Sequence, residues 1–255
     1  MRELGHTRRF LILGGTHEGR YLANQLVAHG EWVMTSLAGR VKNPALPAGE
    51  VRIGGFGGPE GLARWIKENQ IDVVIDATHP YAERISASAE KATEELGIPL
   101  YVVERPLWQP QPGDRWISCP NMQAAADYIA KHYSAKNIFL TIGRQQLAPF
   151  QHDAQNSYII RCVEKPEVPL PPQHELVLDR GPFEPESELN FMKKHQVDVL
   201  VTKNSGSEAT YPKLDAARKI GAELLMVERP RVEHSYGIRT EHCCQVLAQL
   251  GYSVE

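Results

Sequence analysis

The most constraining feature of this sequence is a piece of organisation that occurs twice. Asp72-Val-Val-Ile75 is followed, one helix length later, by Val103-Glu-Arg-Pro106. Asp198-Val-Leu-Val201 is followed in the same way by Val227-Glu-Arg-Pro230. The two copies are offset by 126 residues at the start (72 to 198) and 124 at the end (106 to 230). Each is trailed by a short apolar segment (near Ile117 and near Ile238) and a closing helix (from Asn121 and from Thr240). Two matched ends with the same order of elements between them read as a duplication rather than as two unrelated units of common composition.

The apolar runs are short and continuous: 10–13, 32–37, 71–77, 100–103, 138–142, 158–162, 197–201 and 224–227. Runs of that length without polar alternation suit strands covered on both faces, as in parallel sheets. Between them lie helical patterns, such as the one that Pro59 opens at its first position and the one that Gly97 closes. Alternating strand and helix requires right-handed crossovers. The chain is therefore read as α/β, with two Rossmann-like parallel-sheet domains, apparently duplicated, and a cleft between them. The boundary falls at 1–134 and 135–255. The segments near Trp116 and Gly237 each follow a Pro-containing crossover, so an exchange of strands between the sheets is open.

Within this frame the first strand ends in Gly14-Gly15-Thr16-His17-Glu18-Gly19, and an amphipathic pattern begins at Arg20. Strand, glycine turn and helix suit a dinucleotide pyrophosphate, because a helix N-terminus presents free N–H groups and a positive dipole end. The loop departs from G-x-G-x-x-G but keeps the last glycine, and Thr16 adds a hydroxyl donor. The strand at 138–142 runs instead into Gly143-Arg-Gln-Gln146, so the nucleotide site belongs to the first half. The end of the second strand, Thr35-Ser-Leu-Ala-Gly-Arg40, lacks the acid that NAD sites place there. Ser36 and Arg40 suit a 2′-phosphate, which makes NADPH the expected cofactor; otherwise Arg40 is an ordinary loop arginine.

Other strand ends carry candidate chemistry. Gly54-Gly55-Phe56-Gly57-Gly58 has more glycine than a turn requires and reads as a wall of the nicotinamide or substrate pocket. At Thr78-His79-Pro80-Tyr81, His79 reads as a proton donor or carboxylate ligand, or else as a helix-capping residue. Tyr81 could stack on a flat ligand. Arg144, Lys203, Asn204, Ser205 and Gly206 form an anion-gripping rim. No nucleophile elbow accompanies the serines, and the histidines lack metal-ligand spacing, so no metal is expected.

Composition removes several classes. A net charge of −3 over 255 residues does not suit a nucleic-acid partner, and 42% hydrophobic with 23% charged residues is ordinary for a globular protein. No apolar run reaches membrane-spanning length, and the start of the chain lacks a signal-peptide core. Cys119, Cys162, Cys243 and Cys244 form no C-x-x-C pair, which fits a reducing compartment and a cytoplasmic location.

Taken together, Leu13-Gly-Gly-Thr-His-Glu-Gly-Arg20, Ser36-Leu-Ala-Gly-Arg40, Gly54-Gly-Phe-Gly-Gly58, Asp76-Ala-Thr-His-Pro-Tyr-Ala82, Glu104-Arg-Pro106, Thr141-Ile-Gly-Arg-Gln145, Gly181-Pro-Phe183 and Val201-Thr-Lys-Asn-Ser-Gly206 resemble the precorrin-6A reductase family of cobalamin biosynthesis. The resemblance covers about residues 10–230. It implies a pyridine-nucleotide-dependent reduction of the C18=C19 double bond of the precorrin-6A macrocycle to give precorrin-6B, on a pair of Rossmann-like domains. The expected partner is a tetrapyrrole, with transient contact to neighbouring pathway enzymes open. A sister group acts on cobalt-precorrin-6A, and another NADPH-dependent reductase is the more distant alternative.

Overall fold

The structure, a computed structural model, describes residues 7–39, 46–230 and 236–253. The chain forms two compact units. One holds the residues up to Pro106 together with those after Pro230; the other is the continuous stretch Leu107–Pro230.

In the first unit, β1 (Arg9–Leu13), β2 (Trp32–Leu37), β3 (Glu50–Ile53), β4 (Val73–Asp76), β5 (Leu100–Val103) and β12 (Ile238–Thr240) form one parallel sheet. Its order is β12-β5-β4-β1-β2-β3. The unbroken apolar run of β1 follows from two-sided burial. Phe10 and Ile12 join the core beneath α1 (His17–Ala28) and α7 (Cys243–Gln249), while Leu11 and Leu13 join the one beneath α2 (Pro59–Glu68) and α3 (Glu83–Leu96). Leu22 and Leu26, one turn apart on α1, are fully buried, which contributes roughly 1.5–3 kcal/mol each.

In the second unit, β6 (Arg115–Cys119), β7 (Asn137–Thr141), β8 (Ser157–Cys162), β9 (His174–Leu178), β10 (Val199–Lys203) and β11 (Glu223–Val227) run parallel in the order β6-β11-β10-β7-β8-β9. α4 (Met122–His132) covers one face; α5 (Pro185–Lys194) and α6 (Pro212–Ile220) cover the other. Both sheets thus share one doubly wound order. Two parallel six-stranded sheets with flanking helices make the chain α/β.

Two details differ from the sequence reading. First, the division is not at 134/135. β6 closes the second sheet on β11 and β12 closes the first on β5, so each half gives its last strand to the other's sheet. Second, α1 begins at His17, not Arg20, because capping by Thr16 starts the helix before its apolar stripe appears. After β10, Lys203-Asn-Ser-Gly206 leads into no helix directly. The backbone passes through a 3₁₀ turn at Glu208–Thr210, and α6 starts only at Pro212, a residue suited to a first helical position.

Candidate functional site

The glycine turn of the first unit is built by close approach. A Cβ on Gly14 would stand 2.8 Å from Thr35 Cγ2, and one on Gly19 would stand 3.2 Å from Gly14 Cα. Gly15 has φ +106°, open to glycine at little cost. Thr16 caps α1: its hydroxyl accepts from Gly19 N–H at 3.2 Å and donates to Ala77 O at 2.6 Å. The Thr16 hydrogen is therefore spent on the end of β4 and is not offered to a ligand, which corrects the sequence reading. What remains for an anion is the backbone N–H groups of the first turn, around His17 and Glu18, and the dipole behind them.

A carboxylate at Glu18 would repel a phosphate placed there, but it is neutralised. Arg105 Nε lies 2.8 Å from Glu18 Oε1, with the arginine side chain 10% exposed. Burial lowers the Arg105 pKa, and the Glu18 charge opposes that shift. Cys243 at the start of α7 donates to Glu18 O at 3.8 Å. The Glu-Arg-Pro motif, read in the sequence only as a repeat marker, thus steadies the turn. Its counterpart Arg229 donates Nε to Asn204 O at 2.8 Å in the second unit.

At the ends of β2 and β3 the structure supplies a cation that sequence reasoning passed over. Arg52 Nη1 donates to Ser36 Oγ and to Gly54 O, both at 3.0 Å, and Nη2 to Gly55 O at 3.2 Å. Its guanidinium lies 3.8 Å from the Phe56 ring centroid, and Phe56 packs edge-on against Trp65. Among the described residues no carboxylate pairs with it, and burial lowers its pKa. The glycines at 54–58 therefore wrap an arginine. Gly61 completes the wrap: a Cβ there would come within 1.8 Å of Phe56 O. The signal available in the sequence was register, since β2 and β3 pair Ser36 with Arg52. Arg40 lies outside the described residues.

At the end of β4, buried Asp76 accepts from Thr78 N (3.0 Å) and Thr78 Oγ1 (2.7 Å), fixing the loop that carries His79. His79 is exposed; its Nδ1 accepts from Tyr81 N at 3.3 Å, and the two rings lie 5.5 Å apart.

In the second unit the loop after β7 is followed by a 3₁₀ turn at Ala148–Phe150 and then β8, with no counterpart of α1. Arg144 Nη1 lies 3.4 Å from Glu164 Oε2 and 3.5 Å from Lys165 O. Lys203 ends β10. The Asn204 amide is committed to Trp108, accepting its N–H at 2.8 Å and donating to its carbonyl at 3.0 Å. That pairing holds the Asn204 side chain against the segment that follows Pro106. Ser205 is buried, accepting at Oγ from Ser207 N–H at 3.4 Å, and Gly206 has φ +66°. Among the described residues no group of His, Cys, Asp and Glu could hold a metal, and no helix is long and apolar enough to cross a membrane.

The fold and the glycine turn define a doubly wound α/β protein with a nucleotide-type turn in one of its two units. The family model described as "Precorrin-6x reductase CbiJ/CobK" matches residues 9–250, and the chain belongs to that family. It is 46% identical over 223 residues to the precorrin-6A reductase of Rhodococcus erythropolis, covering 87% of this chain and 89% of that one. It is 29% identical to the cobalt-precorrin-6A reductase of Priestia megaterium over 236 residues, 88% and 91% of the two chains. A solved structure described as "CobK precorrin-6A reductase" superposes with a TM-score of 0.88 at 35% identity, covering 97% and 98%. The family is one of oxidoreductases, which suggests a nicotinamide cofactor.

Proposed function

We propose that the protein reduces the C18=C19 double bond of precorrin-6A to give precorrin-6B, with NADPH as reductant, in the cytoplasm. The cofactor supplies a hydride to one electron-poor ring carbon, and the chain supplies position, field and a proton. The observation that carries the reading is the pair of features in the first unit. One is a tightly packed glycine turn capped by Thr16, with Glu18 neutralised by Arg105. The other is Arg52, at the ends of β2 and β3, which has no carboxylate partner among the described residues. Pyrophosphate would lie on the N–H groups of Gly15 to Glu18, and Ser36 and Arg52 would hold the 2′-phosphate. Phe56, with Gly55 and Gly57, would border the cofactor. The metal-free substrate is favoured over the cobalt form because relatives named for it are the more similar.

A polycarboxylate ring calls for cations and flat surface. Lys203, Ser205, Gly206 and Arg144 would meet carboxylates, Arg144 after exchanging Glu164, and Tyr81 would pack the ring. His79, exposed beside Tyr81, is the assigned proton donor. Purified protein given precorrin-6A with NADPH or NADH should oxidise NADPH in step with a change in macrocycle absorption. Absence of turnover with precorrin-6A would sink the substrate assignment; equal use of both cofactors would sink the 2′-phosphate assignment. In the same assay His79→Ala should slow turnover about 10²-fold, in the range of lost general-acid catalysis, with NADPH affinity unchanged. Unaltered turnover would remove His79 from the reaction.

A further inference from the structure

The second unit buries more positive charge than its own carboxylates neutralise. Lys213, in the first turn of α6, is 7% exposed. Among the described residues its ammonium makes no hydrogen bond or ion pair, and it lies 5.5 Å from the centroid of the Trp108 ring. Arg161 from β8 reaches the same region, but its guanidinium is held bidentately by Glu188 of α5, at 2.7 and 2.9 Å. Both of those side chains are nearly fully buried, and Phe139 and Phe183 stack on the arginine. Glu188 is thus used up by Arg161. Lys203 at the end of β10 adds a third cation within electrostatic reach.

A lysine serving only as packing would extend its flexible stem out to water. The Lys213 side chain stays largely within the fold, at 7% exposed. Burial, with the charges of Arg161 and Lys203, pushes its pKa down to about 7, against the pull of Glu188. Thr202 Oγ1 and Arg161 Nε are also buried without a partner among the described residues. Thr202, Lys203 and Arg161 lie near the C-terminal ends of β10 and β8, the strands on either side of β7. Ligands of doubly wound sheets sit outside those ends.

We propose that Lys213 and Lys203, with Arg161 locked in place by Glu188, form a binding site for one carboxylate of the substrate within the second unit. The inference rests on the reading of the substrate as a polycarboxylate macrocycle, and it assigns Lys213 as the residue that holds one acidic arm. The carboxylate supplies the acceptor that the ammonium lacks. It also favours the charged form, so the amine gains a proton when the arm docks. The sign follows: at about pH 8 the free amine is largely neutral and binding takes up a proton. At about pH 6 the amine is already charged and uptake vanishes.

The test titrates the intact protein with precorrin-6A without nicotinamide, reading affinity from macrocycle absorption and protons from an indicator in weak buffer. Wild type should take up close to one proton per macrocycle at about pH 8 and almost none at about pH 6. Lys213→Met should take up none and bind the macrocycle about 10- to 100-fold more weakly. An unfolding transition of the second unit at the wild-type denaturant midpoint, followed by circular dichroism, would certify that this variant is folded. Macrocycle binding by wild type without proton uptake, or unchanged affinity in a folded Lys213→Met, overturns the lysine site and leaves the substrate reading standing. No macrocycle binding by wild type overturns the substrate reading, and the site with it.

Discussion

Arg52 shows how a single side chain can give a glycine-rich loop its purpose. Three acceptors, Ser36 Oγ and the carbonyls of Gly54 and Gly55, fix its fork, and Phe56 covers one face. A lysine has neither the planar face nor the paired donors of that fork and would not hold all of these contacts together. Arg52→Ala should raise the KM for NADPH about 10- to 100-fold, the range for a lost charge-assisted contact, and barely change that for NADH. Steady-state kinetics with both cofactors measure this, and an equal rise for both would take Arg52 out of phosphate recognition. Arg40 follows Ser36 closely along the chain, which makes it the arginine that the sequence offers. Arg52 is sixteen residues from Ser36 and becomes its neighbour only through the register of β2 with β3.

At the scale of elements, the N-terminus of α1 depends on one hydroxyl with two tasks. Thr16 satisfies Gly19 N–H and, through its own hydrogen, Ala77 O at the end of β4. It thereby ties the first helical turn to the sheet edge where a ligand would lie. Thr16→Ala leaves both groups unsatisfied and should destabilise the protein by about 1–2 kcal/mol, seen as a lower denaturant midpoint. It should also weaken NADPH binding, because the turn loses its fixed position. Thr16→Ser keeps the hydroxyl and should recover most of both. If Thr16→Ala unfolds at the wild-type midpoint, the cap does not stabilise the helix. The contrast with the second unit is instructive. After β7 no α1 counterpart forms, and the duplicated architecture keeps its sheet while losing the helix N-terminus that an anion would use.

At the scale of the whole molecule, the exchange of closing strands makes the two units unequal as pieces of chain. The second is continuous from Leu107 to Pro230, whereas the first needs residues after Pro230. β12 pairs with β5, and α7 buries Val246 and Leu247 in the same core as Phe10 and Leu22. A fragment of residues 107–230 should therefore unfold cooperatively on its own. A fragment ending at 106 should lack a cooperative transition until residues 231–255 are joined to it. Thermal or denaturant unfolding followed by circular dichroism decides the matter, and a cooperative transition in the isolated 1–106 fragment would refute it.

What the sequence by itself determined was local: apolar runs of strand length, glycines at strand ends, Pro59 and Gly97 at helix limits, and a repeated Glu-Arg-Pro motif. These are legible because two-sided burial, left-handed turns and helix ends each demand particular residue types within a few positions. The parallel α/β class and the family resemblance followed from them, and both stand. Only the tertiary structure decided which sheet receives the strands at Arg115–Cys119 and Ile238–Thr240, since either sheet would bury the same apolar residues. It also decided that Asn204 meets Trp108, that Arg105 neutralises Glu18, and that Lys213 is buried with no acceptor among the described residues. Those outcomes depend on partners 87 to 96 residues away in sequence, or on which side of a helix meets a sheet. Side-chain pairing across such distances leaves no periodic trace in the chain, because the partner is chosen by packing and not by spacing.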